Sequence, residues 1–311
     1  MYLYPMHTVL ITGGTGMVGT SLTHFLLNND YRVIILTRRL KQSTHPNLTY
    51  AIWDIAKGYI DPLAIQQADT IVHLAGEGVA DKRWTAQRKK EILESRVLSG
   101  KLLATTLTKT THHVKTVIAA SAIGWYGPDT KQSLMNGFNE QDGVDHSFLG
   151  DTCQQWEQSL ESIQSTDIRY VTLRLGIILN MKGGAFLEFI KPARFGMATI
   201  LGDGKQIVSW IHEADVSKMI HFCIEQSFIK GVYNAVAPSP ITNQELVIAI
   251  TKKMRGFYIP IPVPALMLKI MLGEMSIEVL KSANVSCAKI QAAGFEFAYP
   301  SIDEALNQLL K

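Results

Sequence analysis

The chain has 311 residues, of which 47% are hydrophobic and 18% charged, with a formal net charge of +3 at pH 7. This composition is ordinary for a globular enzyme and excludes disorder, and the length suffices for one large α/β domain or two joined ones. The small net charge argues against a nucleic-acid partner, and three scattered cysteines indicate neither a disulfide framework nor a metal site.

The first predicted element is an apolar strand over 8–13 that enters a glycine turn and then a helix over 17–28. The glycines are spaced G-x-x-G-x-x-G, at positions 13, 16 and 19. The first permits a tight turn, the second lets a pyrophosphate approach the backbone, and the third lets helix and strand pack closely. No Gly-Lys-Ser/Thr follows, which disfavours a P-loop. We predict a dinucleotide site; the alternative is a glycine turn without a ligand. The predicted contacts are Gly13, Thr15, Gly16, Met17 and Val18.

The second predicted strand, 31–37, ends in Thr37, Arg38 and Arg39. An NAD-binding fold usually places Asp or Glu here to hold the ribose 2′-hydroxyl. A guanidinium beside a hydroxyl can instead bind a 2′-phosphate. We therefore predict that NADP(H) is preferred over NAD(H), with Thr37 and Arg38 as ligands; the alternative is a pair of solvated arginines.

The next two predicted strands, 48–53 and 70–75, also end in residues suited to a cofactor. Asp54 follows the first, where its carboxylate can accept a hydrogen bond from an adenine amino group. A role as a turn or cap residue is equally compatible with the sequence. Small residues after the second strand let the chain pass the cofactor, and the predicted contacts there are Leu74, Ala75 and Gly76. His73 is interpreted as a buried histidine with its hydrogen bonds satisfied.

Strands and helices alternate up to residue 180, which is typical of an α/β fold. We predict a Rossmann-type doubly wound parallel sheet over 1–180, binding NADP(H). Beyond 180 the alternation fails, and a smaller, mainly helical lobe is predicted over 181–311, with the ligand cleft between the two. The remaining predicted strands are 116–122 and 170–178, and the remaining helices are 62–67, 85–108, 149–164, 214–226, 242–254, 264–272 and 302–310.

No membrane partner is expected from the sequence. The most apolar late segment, 259–273, is interrupted by Pro260, Pro262, Pro264 and Lys269, and it is too short to span a bilayer. The first residues lack the basic segment, apolar core and cleavage site of a signal peptide, so none is expected. We expect a soluble, cytoplasmic protein.

Several ordered motifs together resemble an atypical extended short-chain dehydrogenase/reductase. The resemblance is to the NAD-dependent epimerase/dehydratase family, in the branch of YfcH-like sugar nucleotide epimerases that carry a C-terminal domain of unknown function. It covers nearly the whole chain. The matching segments are 11–16, 74–77, 83–84, 95–96, 121–127, 183–185, 209–212, 234–238 and 294–297.

The resemblance implies a catalytic Ser or Thr, a Tyr, and a Lys four residues after the Tyr. These positions fall on Ala122, near Leu149 and near Cys153, and residues 120–160 contain no Tyr-x-x-x-Lys. Ser121 and Tyr126 remain as candidate catalytic residues. A cation would have to lower the pKa of Tyr126, and Arg96 is the candidate. The alternative is that both residues only shape the cofactor pocket.

Further candidates lie on the long helix and in the smaller lobe. Glu91, Arg96 and Ser121 are predicted on the cofactor side. Arg174 stands in an apolar strand, so it should meet a carboxylate or a phosphate. Trp210 is equally well explained as core. The tentative substrate contacts are Glu77, Arg174, Gln206, Trp210 and His212.

The resulting prediction is an NADP(H)-dependent oxidoreductase or epimerase that acts on a small polar substrate, with nucleotide sugars as one candidate class. The alternative is a catalytically degenerate NADPH-binding regulator or scaffold. A homodimer through helices 85–108 and 149–164 is compatible with the sequence.

Overall fold

A parallel sheet with helices on both faces forms the centre of the structure, a computed structural model that describes residues 6–311 apart from the side chain of Ser165. The strands are β1 (Thr8–Thr12), β2 (Arg32–Thr37), β3 (Leu48–Asp54), β4 (Tyr59–Ile60), β5 (Thr70–His73), β6 (Thr116–Ala122), β7 (Arg169–Leu175), β8 (Ile177–Leu179), β9 (Met197–Leu201), β10 (Ile207–Val208), β11 (Trp210–His212), β12 (Gly231–Ala235), β13 (Ile241–Thr242) and β14 (Ile259–Val263). The α-helices are α1 (Met17–Leu27), α2 (Pro62–Gln67), α3 (Ala86–Lys109), α4 (Lys131–Asn136), α5 (Phe148–Gln158), α6 (Phe186–Ala193), α7 (Glu213–Glu225), α8 (Asn243–Arg255), α9 (Ala265–Leu272), α10 (Ser276–Leu280), α11 (Ala288–Ala292) and α12 (Ile302–Leu309).

The central sheet has the strand order β12-β7-β6-β5-β1-β2-β3-β4. All its pairs are parallel except β3 with β4. Thr12 lies opposite both Leu36 and His73, so the carboxyl ends of β1, β2 and β5 meet at one edge. The strand order reverses at β1, and ligands bind open α/β sheets at such a point. The predicted Rossmann-type doubly wound fold is confirmed.

Two separate cores explain why the strands are continuous apolar runs. Val9 and Ile11 pack on one face with α1 and α7, in a cluster that includes Leu22 and Met219. Leu10 points to the other face, where it belongs to a cluster with Leu103 of α3. Because successive side chains of a strand alternate between faces, a strand buried on both must be apolar throughout.

The chain after residue 180 forms a smaller part in which helices predominate. Short strand pairs accompany them: β8 with β11, β9 with β14, and β10 with β13. A third core cluster lies here and includes Phe186 of α6, Trp210, Leu246 of α8 and Leu306 of α12. Within residues 6–311 no helix is long and apolar enough to cross a membrane.

The central sheet is not confined to residues 1–180. The whole length of β12 pairs in parallel with residues 171–175 of β7, and α7 packs in the same core as α1. The chain therefore leaves the sheet, builds part of the smaller lobe and returns. A division at residue 180 does not separate the two parts.

Two predicted elements are shorter than expected. The strand predicted over 170–178 is divided at Gly176, where a Cβ atom would lie 2.7 Å from the carbonyl oxygen of Ser209. The helix predicted over 149–164 ends at Gln158, and a 3₁₀ turn over Glu161–Ser165 follows it. The hydroxyl of Ser159 donates to the carbonyl oxygen of Trp156 at this end.

Candidate cofactor site

The three glycines of the first turn have different roles in the structure. Gly13 has φ 68°, and a Cβ atom there would lie 2.7 Å from the carbonyl oxygen of Leu74. A Cβ atom on Gly19 would lie 2.3 Å from the carbonyl oxygen of Gly13. At Gly16 the nearest atom would be that same oxygen, at 3.3 Å. The first glycine makes the turn, the third allows close packing, and the second leaves room above the loop.

The N-terminus of α1 opens into this room. Gly16 is the N-cap residue, and the first turn of the helix contains no acidic residue. The free N–H groups of a first turn and the positive end of the helix dipole favour an anion. Thr15, Met17 and Val18 lie at this helix start, as predicted, and Gly183 and Gly184 lie against the side chain of Met17. The loop therefore fits a pyrophosphate.

Arg38 follows β2 at the same edge of the sheet and is exposed. Within the described part of the chain it makes no ion pair or hydrogen bond. The hydroxyl of Thr37 instead closes a local turn, donating to the carbonyl oxygen of Arg39 at 3.1 Å. The guanidinium is therefore available for a phosphate, and Thr37 forms the turn that presents it.

The chain after β5 lies directly beside the glycine loop. The N–H groups of Leu74 and Ala75 donate to the hydroxyl of Thr12, at 3.1 and 3.3 Å. His73 is fully buried, and its Nδ1 lies 2.8 Å from the same hydroxyl. Burial lowers the pKa of His73 to about 4, so it is a neutral structural residue.

The carboxylate of Asp54 stabilises a turn. It accepts a hydrogen bond from the N–H of Lys57 at 3.2 Å and lies 3.6 Å from Nζ of that residue. Asp54 therefore has the turn role that the sequence left open as an alternative. Beside it, a cavity of about 350 Å³ opens between the end of β3 and α3, with Ile55, Ser95 and Leu98 in its wall.

Arg88 forms ion pairs with Glu77 and Glu91, the two carboxylates for which the sequence predicted ligand contacts. Its guanidinium lies 3.3 Å from Glu77 and 3.1 Å from Glu91, and it donates to the carbonyl oxygen of Gly78 at 2.7 Å. Hydrogen bonds from Gln87 and from Arg88 lower the pKa of Glu91. Both carboxylates hold this loop against α3 and also line the cavity beside Ile55, so their predicted ligand contacts stay predictions.

Arg96 faces the cofactor edge rather than Tyr126. Its guanidinium carbon would lie 3.0 Å from a Cβ atom on Gly76, and it lies 5.0 Å from the centre of the Trp156 ring. One nitrogen donates to the carbonyl oxygen of Ile92 in the same helix. The glycine at position 76 thus makes room for a cation, and the predicted Arg96–Tyr126 pair is not formed.

Tyr126 is a core residue. It is fully buried, it stacks on Phe138 with ring centres 5.1 Å apart, and its hydroxyl donates to Oδ1 of Asn234 at 2.7 Å. Burial raises its pKa to about 12, although Arg174 acts in the opposite direction. An acid–base tyrosine needs access to substrate and a lowered pKa. Tyr126 is closed off from substrate and its pKa is raised, so the structure does not support a catalytic role for it.

Ser121 and Arg174 belong to the same buried network. The hydroxyl of Ser121 donates to Glu157 at 2.6 Å, and Arg174 binds the two oxygens of that carboxylate at 2.9 and 3.0 Å. The guanidinium also lies 3.7 Å from the centre of the Trp125 ring. The expected carboxylate partner of Arg174 is confirmed. Ser121 and Arg174 are therefore both bound to Glu157 in the structure, and their predicted ligand contacts stay predictions.

The three predicted substrate contacts in the smaller lobe are buried as well. Trp210 donates to the carbonyl oxygen of Ser239 at 2.9 Å. His212 is the N-cap residue of α7 and contacts Gln308 at 2.9 Å. Gln206 donates to the carbonyl oxygen of Leu201 at 3.0 Å. All three side chains are buried in the lobe, and their predicted contact with substrate stays a prediction.

The end of β6 brings together the residues at the family's catalytic positions. A Cβ atom on Gly124 would lie 3.2 Å from Cβ of Leu149 and 3.6 Å from Sγ of Cys153. That thiol lies 3.6 Å from the carbonyl oxygen of Ala122, and burial raises its pKa to about 11. An apolar side chain and a neutral thiol therefore stand where the resemblance places Tyr and Lys.

Sequence reasoning missed Arg88 and Glu157, which organise the two polar networks. Each carries a charge within a helix of mixed polarity, where a solvated side chain is the ordinary expectation. The only available signal was indirect: a buried arginine in a strand requires a carboxylate, which could have been sought on the neighbouring helix.

Comparisons with known proteins agree with this geometry. A family profile described as "NAD dependent epimerase/dehydratase family" matches residues 9–235, and one described as "Domain of unknown function (DUF1731)" matches residues 263–309. The epimerase family protein YfhF of Bacillus subtilis is 34% identical over 304 residues, covering 97% of each chain. SERP0438 of Staphylococcus epidermidis is 33% identical over 98% of this chain and 100% of its own. The chain belongs to the NAD-dependent epimerase/dehydratase family.

Solved structures show the same fold. Human epimerase family protein SDR39U1, crystallised with NADPH, superposes with a TM-score of 0.86 at 28% identity, over 97% of this chain and 99% of that one. A nucleoside-diphosphate sugar epimerase from Corynebacterium glutamicum gives a TM-score of 0.77 at 28% identity, over 98% of this chain and 58% of that one.

Proposed function

We propose that this protein binds NADP(H) in preference to NAD(H) and is an oxidoreductase or epimerase for a small polar substrate in the cytoplasm. The observation that supports this proposal most directly is Arg38, which is exposed just after β2 and has no ion pair or hydrogen bond with any residue in 6–311. A guanidinium there can bind a 2′-phosphate with two hydrogen bonds, whereas no carboxylate follows β2 to hold a ribose hydroxyl. The NADPH crystallised with the human relative supports the same preference.

The bound nicotinamide would supply hydride transfer. The chain itself provides the amide-lined turn at Gly13–Gly16 for the pyrophosphate, and Arg96 as a cation at the same edge. Leu149 and the neutral Cys153 line the end of β6 and would exclude water there. The substrate class, with nucleotide-linked sugars first, rests on the family and on the named activity of the Corynebacterium relative.

A second function is favoured by one observation. The positions of the family's catalytic Tyr and Lys hold Leu149 and Cys153, and the candidate tyrosine, Tyr126, is buried in the core. A protein that binds NADPH without turnover, as a regulator or scaffold, is therefore the alternative. A homodimer through α3 and α5 stays a prediction.

The cofactor proposal is tested by titrating NADPH and NADH into the wild-type protein and two arginine variants. We expect wild type to bind NADPH at least about tenfold more tightly, since a charge-assisted hydrogen bond contributes about 1.5–3 kcal/mol. Arg38→Ala should lose this difference and keep its affinity for NADH. Arg32→Ala, an exposed arginine at the opposite end of β2, is the control and should behave as wild type. Equal affinities in wild type would refute the proposal.

A turnover assay distinguishes the enzyme from the non-catalytic regulator or scaffold. NADPH oxidation is followed by the loss of absorbance of the reduced nicotinamide, with a panel of carbonyl compounds and oxidised nucleotide sugars. Oxidation that depends on one compound class supports the enzyme. Tight NADPH binding with no oxidation across the panel supports the regulator.

A further inference from the structure

The smaller lobe exposes a continuous apolar segment, residues 257–271, which we call the apolar rim. Its largest exposed side chains are Phe257, Ile259, Leu266, Met267, Ile270 and Met271, each more than half exposed. Phe195 adjoins them, because it precedes Gly196, where a Cβ atom would lie 2.7 Å from the Phe257 ring. Apolar side chains scattered singly need no explanation, but a contiguous set marks an interaction surface.

The helix α9 within this rim is apolar on its outer side. Leu268 alone is buried, while Leu266 and Ile270 are 70% and 69% exposed. An ordinary surface helix buries its apolar stripe and turns polar residues to water. The solvent-facing side of α9 carries apolar residues at i, i+1, i+4 and i+5, so the helix is built to contact something outside its own lobe.

The charged residues within the segment that carries the rim are all basic, and the next acidic residue along the chain, Glu274, is paired with Lys89. Residues 251–272 contain Lys252, Lys253, Arg255 and Lys269 and no aspartate or glutamate. Nζ of Lys252 lies 5.1 Å from the centre of the Tyr258 ring, so cation and apolar surface adjoin. Two copies placed rim to rim would bring these cations together, which opposes self-association. The complementary partner is anionic.

The edge of β14 limits how a partner can bind. The N–H of Ile259 donates to Gly196, and the carbonyl oxygen of Val263 accepts from Gly202, so the odd-numbered residues pair with β9. Pro260 and Pro262 occupy the alternate positions, which face the free edge without N–H donors. Because a strand added to this edge would lack those hydrogen bonds, the partner has to engage side chains rather than the backbone.

An anionic lipid bilayer meets all three conditions: it accepts apolar side chains, it attracts lysine and arginine, and it offers no backbone to pair with. We propose that the apolar rim docks this protein on the surface of an anionic membrane. The contact is peripheral, and it replaces the sequence-based expectation of no membrane partner. The proposal does not depend on the identity of the cofactor or the substrate.

The test is co-sedimentation of the full-length protein with two kinds of vesicle. One is phosphatidylcholine alone, and the other contains about one-third phosphatidylglycerol as the anionic component. We expect binding to the anionic vesicles at least about tenfold stronger than to the neutral ones, and weakened by added salt, because counter-ions screen the lysines. Lys252→Gln/Lys253→Gln should weaken binding to the anionic vesicles.

The apolar contribution is tested with Leu266→Gln/Ile270→Gln, expected to lower vesicle binding at least about tenfold, since each side chain would leave the acyl boundary. Leu134→Gln/Met135→Gln on α4 is the matched control, because those two apolar side chains are also more than half exposed and lie outside the rim. The control should bind as wild type, and both variants should show the unfolding transition of wild type.

Three results would overturn the proposal. The first is no binding to anionic vesicles, and the second is an equal loss of binding in the rim and control variants. The third is a wild-type oligomer in light scattering that becomes a monomer with Leu266→Gln/Ile270→Gln, which would identify a second copy of this chain as the occupant.

Discussion

At the scale of single residues, the buried polar network beneath β6 and β7 decides which side chains are free for chemistry. The carboxylate of Glu157 accepts hydrogen bonds from Ser121 and Arg174, and Arg174 also donates to the Tyr126 hydroxyl at 3.1 Å. A buried ion pair costs desolvation and is tolerated when its remaining groups are hydrogen-bonded. Every member of this network is committed to a partner, so the network gives the core a defined arrangement and leaves none of its members for substrate.

A first prediction concerns Tyr126→Phe. The change leaves Oδ1 of Asn234 without its donor, and the free energy of unfolding should fall by about 1–3 kcal/mol. The dissociation constant for NADPH should stay within about twofold of wild type, because this hydroxyl does not reach the cofactor edge. Chemical denaturation and cofactor titration measure the two quantities.

Tyr59→Phe is the control for this prediction, since Tyr59 is exposed on β4. It should change neither quantity. Weakened NADPH binding or lost turnover in Tyr126→Phe, at unchanged stability, would restore Tyr126 to the site.

At the scale of elements, the unit β1–turn–α1 shows how far local sequence can predict a site. Its observed bounds fall within one residue of the predicted ones, because apolar runs and glycine spacing are local signals. The direction of a side chain is not local. Tyr126 contacts Asn234, 108 residues further on, and Trp210 points into a core formed with α8 and α12. The sequence therefore predicted the glycine turn and the ends of the strands around it, but not which polar side chains are buried in contacts with distant segments.

A second prediction compares two glycines of this unit. Gly16→Ala should keep its free energy of unfolding within about 1 kcal/mol of wild type, because the new methyl meets only one oxygen at tolerable distance. It should bind NADPH at least about tenfold more weakly, because that methyl fills the space for the pyrophosphate. Gly19→Ala should lose both stability and binding, because its methyl collides with the turn.

Thermal unfolding and cofactor titration distinguish the two glycine variants. Gly143→Ala serves as reference, since a Cβ atom there meets nothing within 4 Å. If Gly16→Ala bound NADPH normally, the turn would not be the pyrophosphate site.

At the scale of the whole molecule, the two parts of the chain are interleaved. β12 completes the sheet at β7, and its Asn234 receives the Tyr126 hydroxyl, so a segment from beyond residue 180 closes both the sheet and its core. Parallel pairing of this kind has no short-range sequence signal, because the strands are joined by a long crossover. The sequence could therefore predict the fold class but gave no sign that β12 joins the sheet from beyond residue 180.

A third prediction follows for the fragment 1–180. Without β12 and α7 it should show neither a cooperative unfolding transition nor NADPH binding, since the edge of β7 and the α7-facing side of α1 are left bare. Near-ultraviolet circular dichroism and cofactor titration test it, with the full-length chain prepared alongside. A fragment that unfolds cooperatively and binds NADPH would show that the boundary is real.

The late arrival of β12 also has a consequence for synthesis. The ribosome completes β7 about 60 residues before it completes β12, which at about 5–20 residues per second is a delay of about 3–12 s. Until β12 has been made, the outer edge of β7 in the nascent chain has no partner strand and can pair with a strand of another protein. Chaperone binding during translation should therefore concentrate on this interval.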